Sequence, residues 1–423
     1  MPDGSGIVAA GLESARLRSA GKDRLSLALI DVRNRSLAWA AALEAAGSPP
    51  GREPGRSDGA NSDDAGVAAV VAEAPLWRLG HVAWFQEYWI GRNVQRGRGE
   101  RADPDLPRLA SILPGADDWF ASPSIHRGDD QADPVDRATI RQYLLDTLEA
   151  SLDTLAATPD ETDDALYFHR LVLMHEEMQV EAFAVFAQSF GLRPPEGLLE
   201  RATSSTVRPP LQVPATRWLL GGGGEGFRFD NEREAHAVEI PEFEIDAQPI
   251  RWTQYGEFVE DGGYDEPSFW SPAGREWLRQ GRRTPRHVEQ MRRGVVQRRF
   301  GLMTRLPNDA PVMHVNCHEA EAWCRWAGRR LPGEAEWEAA AHQAASRGFR
   351  FGEVREWTAT TFRPYPGFVA GPWRGYSVPS FGVARVLRGA SFATPPALRS
   401  TRFRGFASPD CDEGFFGFRS CAA

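Results

Sequence analysis

Cysteine is scarce in this chain: Cys317, Cys324, Cys411 and Cys421 are the only four among 423 residues, and all lie in the last quarter. So few thiols, so clustered, exclude a secreted disulfide scaffold. No apolar run approaches the roughly 18 residues that would span a bilayer. The opening stretch MPDGSGIVAAGLESARLRSA also lacks the apolar segment of a signal peptide. A cytoplasmic protein without a membrane partner is the expectation. Positive charge is in deficit, with 49 Lys and Arg against 58 Asp and Glu and a net charge of -9. No broad cationic face for nucleic acid is therefore expected. Sequence self-similarity at a period of about 20 to 50 residues, the mark of repeat architectures, is missing too. What remains is ordinary for a soluble globular protein, 42% hydrophobic and 25% charged. The length suffices for two or three domains with their own cores.

The two halves differ in pattern. Up to about residue 200, stretches such as RLSLALIDVRNRSLAWAAALEAAG repeat apolar residues at helical intervals. Further helices are predicted at 68–97, 136–157 and 160–191, the last closed by Gly191. With the first helix they would form one antiparallel four-helix bundle, residues 1–200. The segment 47–66, GSPPGREPGRSDGANSDDAG, has the composition of a mobile loop. After a linker, residues 207–423 turn to short strands, tight turns, glycines and aromatics. Two helices are predicted there, at 252–261 and 317–327, the second opened by Asn316 with Glu319 as a capping box. The fold class expected is α+β.

Two bundle segments could share a metal. PLWRLGHVAWFQEYWIGRN places His81 on an apolar, aromatic helix, and LVLMHEEMQVEAF carries His175 with Gln179 one turn beyond. Residues four apart differ by about 40° around a helix and face the same way. Neutral imidazole suits iron, zinc or copper, and an amide oxygen is a weaker, uncharged ligand. A buried histidine with one hydrogen bond is the competing explanation. His169 lies about 240° from His175 around the helix and makes no rival ligand. His126, in PSIHRGDD, belongs to a loop. Glu176 and Glu177 are expected as charges on the helix surface. In the second half, His314, Cys317, His318 and Cys324 suggest zinc only superficially, since no C-x-x-C pair is present. LLGGGGEG is not followed by a helix, which argues against a phosphate loop. The tail RFRGFASPDCDEGFFGFRS sets aromatics beside arginines, a surface able to take a quaternary ammonium group or simply core packing.

Taken together, LGHVAWFQEYW, HEEMQVEAF, FDNEREAHAVEI, PVMHVNCHEAEAWCRWAGRRLPGEAEWEAAA, VREWTATTFRPYPGF, VLRGASFATP and GFFGFRS carry a resemblance that spans nearly the whole chain. It is to the ergothioneine-forming sulfoxide synthases and their selenoneine-forming relatives. These join a damage-inducible-type metal-binding four-helix domain to a C-type-lectin-like, formylglycine-generating-enzyme-like domain. The resemblance implies a mononuclear non-haem Fe(II) oxidoreductase that uses O2 to join sulfur or selenium to the imidazole carbon of hercynine. Its iron-ligating positions fall on His81, His175 and Gln179, the last a departure from a third histidine. Where relatives that use γ-glutamylcysteine carry R-N-W-D, this chain has Arg404, Gly405, Phe406 and Ala407, and Ala407 cannot pair with a donor ammonium. The arginines that such relatives use for donor carboxylates have no clear match in GADDWFASPSIHRGDD. A selenosugar donor is therefore expected ahead of a thiol. Tyr365 and Tyr376 are the implied proton donors, with Tyr365 preferred. Phe406, Phe415 and Phe416, with Arg404, are the implied substrate-binding residues. The alternatives are a sulfoxide synthase, a metal-free betaine-binding protein, and a copper-dependent oxidase using Cys411 and Cys421.

Overall fold

The computed structural model describes residues 5–45, 75–121, 135–199, 207–291 and 294–423. The loop 47–66 and His126 lie outside the described residues. The first half contains helices α1 (Ser5–Arg18), α2 (Lys22–Ala45), α3 (Pro75–Gln86), α4 (Ala116–Phe120), α5 (Arg137–Ala157) and α6 (Asp163–Phe190). The helix predicted over 68–97 is shorter than expected. α3 stops at Gln86 and widens into a π-helical turn, Glu87–Gly91, a local irregularity frequent at functional sites. Caps set the other ends. The Asp136 carboxylate accepts the Thr139 N–H at 2.7 Å, the Thr162 hydroxyl accepts the Ala165 N–H at 3.3 Å, and Gly191 closes α6 with φ 67°.

α6 is the central element, buried on nearly every face. A helix enclosed this way must pair its charges. Glu176 and Glu177, expected on the surface, are each only 2% exposed. Glu176 accepts from Arg33 Nε at 2.9 Å, and Glu177 accepts from Arg35 Nη2 at 2.7 Å. Both arginines belong to α2, which covers the face that sequence periodicity leaves open. Burial raises the Glu177 pKa even though Arg35 opposes the shift.

Among the described residues the second half has four helices longer than one 3₁₀ turn, two more than the pattern gave: α7 (Trp252–Glu260), α8 (Pro272–Leu278), α9 (Cys317–Trp326) and α10 (Glu334–Gln343). Asn316 and Glu319 form the expected capping box, each accepting the other's backbone N–H at 2.9 Å. One sheet orders Gly405–Ala407, Arg385–Gly389, Arg355–Thr361 and Phe416–Phe418, with only the last strand parallel to its neighbour. A second sheet joins Leu211–Val213, Phe243–Ile245, Cys421–Ala422 and Arg329–Arg330. Trp252, Trp337 and Trp357 are fully buried among these elements. Among the described residues, no helix is long and apolar enough to cross a membrane.

The halves are joined by buried polar ties. The Glu181 carboxylate on α6 accepts from Arg355 at 2.6 and 2.9 Å and from the Thr394 hydroxyl at 2.7 Å. Arg18 on α1 donates to Glu232 at 2.6 Å. Breaking such a buried pair leaves an uncompensated charge and costs about 3 kcal/mol or more, so Arg355→Ala is expected to lower the denaturant midpoint markedly at neutral pH. Although burial opposes it, Arg355 holds the Glu181 pKa below the ordinary carboxylate value. Its contribution is thus present above the unfolded pKa and is lost as pH falls through the folded one. Unfolding curves at pH 7 and well below the ordinary carboxylate range should show Glu181→Gln costing much less at the acid end.

Candidate metal centre

His81 projects from α3 and His175 from α6, and their Nε2 atoms stand 3.2 Å apart. Each imidazole is walled by aromatics. His81 stacks between Trp77 and Trp84, with ring centroids at 4.8 and 5.6 Å. His175 lies flat on Phe85 at 3.7 Å and meets the edge of Trp373 at 5.4 Å. Burial is the main reason both pKa values fall, His81 to about 4 and His175 well below the ordinary value. Both rings are therefore neutral at physiological pH.

A hydrogen bond fixes the tautomer of His81. The Phe120 carbonyl, at the end of α4, sits 2.7 Å from His81 Nδ1 and can only accept, so Nδ1 carries the proton and Nε2 is bare. Arg78, one turn before His81, donates from Nη1 to Gln179 Oε1 at 2.7 Å. Guanidinium has only donors, so the carbonyl end of Gln179 faces Arg78 and the NH2 end faces His175 Nε2, at 3.3 Å. With Nε2 bare, His175 accepts from that NH2 group; with Nε2 protonated, it donates to His81 Nε2. With Nε2 bare on both rings, the two lone pairs face each other at 3.2 Å in a part-buried site. A cation between them resolves the repulsion. Two nitrogens each about 2.1 Å from one ion stand about 3.0 to 3.4 Å apart between right-angle and tetrahedral geometry. With Nε2 bare on both rings the pair fits a divalent metal held on two imidazoles, that of His81 oriented from outside by the Phe120 carbonyl. Among the described residues, no group of three or more His, Cys, Asp or Glu side chains converges as a metal site.

The loop after residue 370 brings the second half to this centre. Trp373 touches both Phe85 and His175, and Tyr376 stacks on Trp373 with centroids at 4.7 Å. Asp230 anchors the loop at both ends, accepting the Gly371 N–H at 3.3 Å and the Ser377 hydroxyl. Tyr376 also meets Phe229 at 4.8 Å and Phe406 at 5.4 Å. Burial, seconded by Glu232 and Asp230, raises its phenol pKa, which keeps the proton in place.

The remaining expected site residues are dispersed. Tyr365 lies in a separate buried ion network, donating to Glu334 and accepting from Arg388, both at 3.2 Å. Arg404 is spent there as well. Its Nε and Nη2 reach Glu334 at 2.8 Å each, and Nη1 reaches the Arg363 carbonyl at 2.8 Å. These contacts make it a brace between strand and helix. Phe406 adjoins Tyr376, whereas Phe415 packs on Phe392 and His314 and Phe416 on Trp357. The three phenylalanines do not form one cage. His169 is buried away from the pair, flanked by Arg96 and Ser151. Cys411 and Cys421 are free thiols in separate cores, and burial pushes Cys411 up to about 12. Arg78, Phe120, Trp373 and Asp230 were not foreseen. Arg78 alone had a visible signal, as the one charged residue in PLWRLGHVAWFQ.

A helical half that offers paired imidazoles, followed by an irregular half rich in short strands, defines a two-part class that comparison with known families identifies. Residues 72–188 match the DinB superfamily, and residues 200–351 and 349–423 match the sulfatase-modifying factor enzyme 1-like domain. The chain is 30% identical over 399 residues to the hercynine oxygenase of Mycolicibacterium smegmatis, covering 81% of this chain and 90% of that one. It is 31% identical over 397 residues to that of Mycobacterium tuberculosis, covering 81% and 89%. The formylglycine-generating enzyme of Streptomyces coelicolor is 26% identical over 297 residues, covering 52% of this chain and 91% of its own. The chain belongs to the hercynine oxygenase family, a fusion of a DinB-like helical domain with a formylglycine-generating-enzyme-like domain.

Proposed function

We propose that this protein is an Fe(II)- and O2-dependent oxidoreductase that joins selenium from a selenosugar to the imidazole carbon of hercynine. The observation that carries the iron reading is the facing pair of imidazole nitrogens, Nε2 of His81 and of His175, at 3.2 Å. Kinship with hercynine oxygenases supports hercynine and O2 as substrates. When bound, Fe(II) would supply the redox chemistry and a template that brings the two partners together.

The chain's own residues do the rest. His81 and His175 would hold the metal. Tyr376, Trp373 and Phe406 offer a continuous aromatic wall beside it, suited to the trimethylammonium group of a betaine. Tyr376, kept protonated, is a proton donor one ring removed from His175. Trp77, Trp84 and Phe85 wall the imidazoles with apolar rings.

Two features favour selenium over sulfur. Ala407 is a buried strand residue, so the stretch Arg404–Ala407 offers no carboxylate to a donor ammonium. The ligands His81 and His175 are uncharged, and Arg78 adds a positive charge beside them. Such a centre favours an anionic partner. A selenol ionises more readily than a thiol.

The test is a competition. Given hercynine, O2, Fe(II), a selenosugar and γ-glutamylcysteine together, the protein is expected to yield a carbon–selenium adduct by mass spectrometry. A sulfoxide alone would assign it to sulfur chemistry. Without either adduct, a betaine-binding protein becomes the better description.

A further inference from the structure

Gln179 occupies the place of a third ligand, but its hydrogen bonds give it a different task. We infer that Arg78 locks the Gln179 amide with its carbonyl turned away from the metal position, so that Gln179 acts there as a hydrogen-bond donor and the protein supplies two ligands. This rests on the iron reading above and refines it.

The geometry consists of three linked contacts. Arg78 Nη1 donates to Gln179 Oε1 at 2.7 Å, and Gln179 Nε2 stands 3.3 Å from His175 Nε2. His175 Nε2 in turn faces His81 Nε2 at 3.2 Å. Turning the amide over would set its NH2 group against a guanidinium, donor against donor, inside a site where Arg78 is 1% and Gln179 8% exposed. An amide nitrogen has no lone pair available to a metal. The end of Gln179 nearest the ligating nitrogen is thus the end that cannot ligate. Arg78 and Gln179 lie on different helices, α3 and α6, one turn from His81 and His175 respectively. The same helix pairing that brings the imidazoles together therefore brings the lock together.

The consequence is that the place a third protein ligand would take is left to a small molecule, flanked by an N–H donor. A ligand able to accept a hydrogen bond is favoured there, and an anionic one most.

Fe(II) affinity under anaerobic titration tests this without reference to turnover. Gln179→Ala and the volume-matched Gln179→Met are expected to change the Fe(II) Kd by less than about threefold, whereas outer-shell groups that orient a ligand carry about 10- to 100-fold. Arg78→Met frees the amide to turn its carbonyl inward. It should tighten binding more in the Gln179 background than in the Gln179→Met background, because removal of the cation alone acts equally in both. A tenfold or larger weakening in Gln179→Met overturns the inference, and one beyond about 100-fold makes Gln179 a ligand. Equal effects of Arg78→Met in both backgrounds overturn the lock. If Arg78→Met does not fold, the two Gln179 variants decide alone. Failure of wild-type protein to bind Fe(II) defeats the iron reading itself. Wild-type binding that His175→Ala abolishes preserves that reading whatever the Gln179 variants show.

Discussion

Replacement of His175 by alanine is expected to abolish stoichiometric Fe(II) binding and, with it, product formation. Groups that merely orient a ligand are worth about 10- to 100-fold in metal affinity, so removing one of two ligands costs more than about 100-fold. His81→Ala should behave alike, because the two Nε2 atoms share one space. The control is His169→Ala on the same helix. His169 is as buried as His175, yet it faces Arg96 and Ser151. Both substitutions remove a buried ring, so both lower stability, and only the first should remove iron. Metal analysis of the purified variants together with thermal melts separates the effects. A His175→Ala protein that folds and retains stoichiometric iron would refute the assignment.

Much of this centre was legible in the sequence, because helical periodicity and spacing carry it. His81 sits in an apolar helix and His175 in another, and the four-residue step to Gln179 is visible without a structure. Periodicity says which residues share a face but not what covers that face. Glu176 and Glu177 were for this reason misplaced: their partners Arg33 and Arg35 come from α2, more than 140 positions earlier. Arg78 was conspicuous as a charge among apolar residues. Its meaning emerged only once α3 and α6 packed and set its guanidinium on the Gln179 carbonyl. Trp373 and Tyr376 belong to a loop whose position is set by Asp230, roughly 140 residues upstream. No local pattern encodes such a tie. The same limit explains why Tyr365, the residue preferred from sequence, proved to lie in the ion network of Glu334 and Arg388.

The two tyrosines can be told apart by what their loss would do. Tyr376→Phe keeps the ring that stacks on Trp373 and removes only the hydroxyl. If that hydroxyl delivers a proton in the reaction, turnover should fall by about 10²- to 10⁴-fold. Fe(II) affinity and melting temperature should stay near wild type, because Tyr376 contacts neither imidazole directly among the ring pairs at the centre. Tyr365→Phe should show the reverse. It takes a hydrogen bond from a buried network in which Glu334 also pairs with Arg388 and Arg404, and the unsatisfied group costs about 1 to 3 kcal/mol of stability. Its turnover should change little at temperatures where it remains folded. Measuring kcat and the melt on both variants decides between them: a Tyr365→Phe enzyme that is stable but inactive, beside an active Tyr376→Phe enzyme, would move the proton donor to the other tyrosine. In that event the loop held by Asp230 would serve to bind substrate, and the acid would have to act from within the Glu334 network.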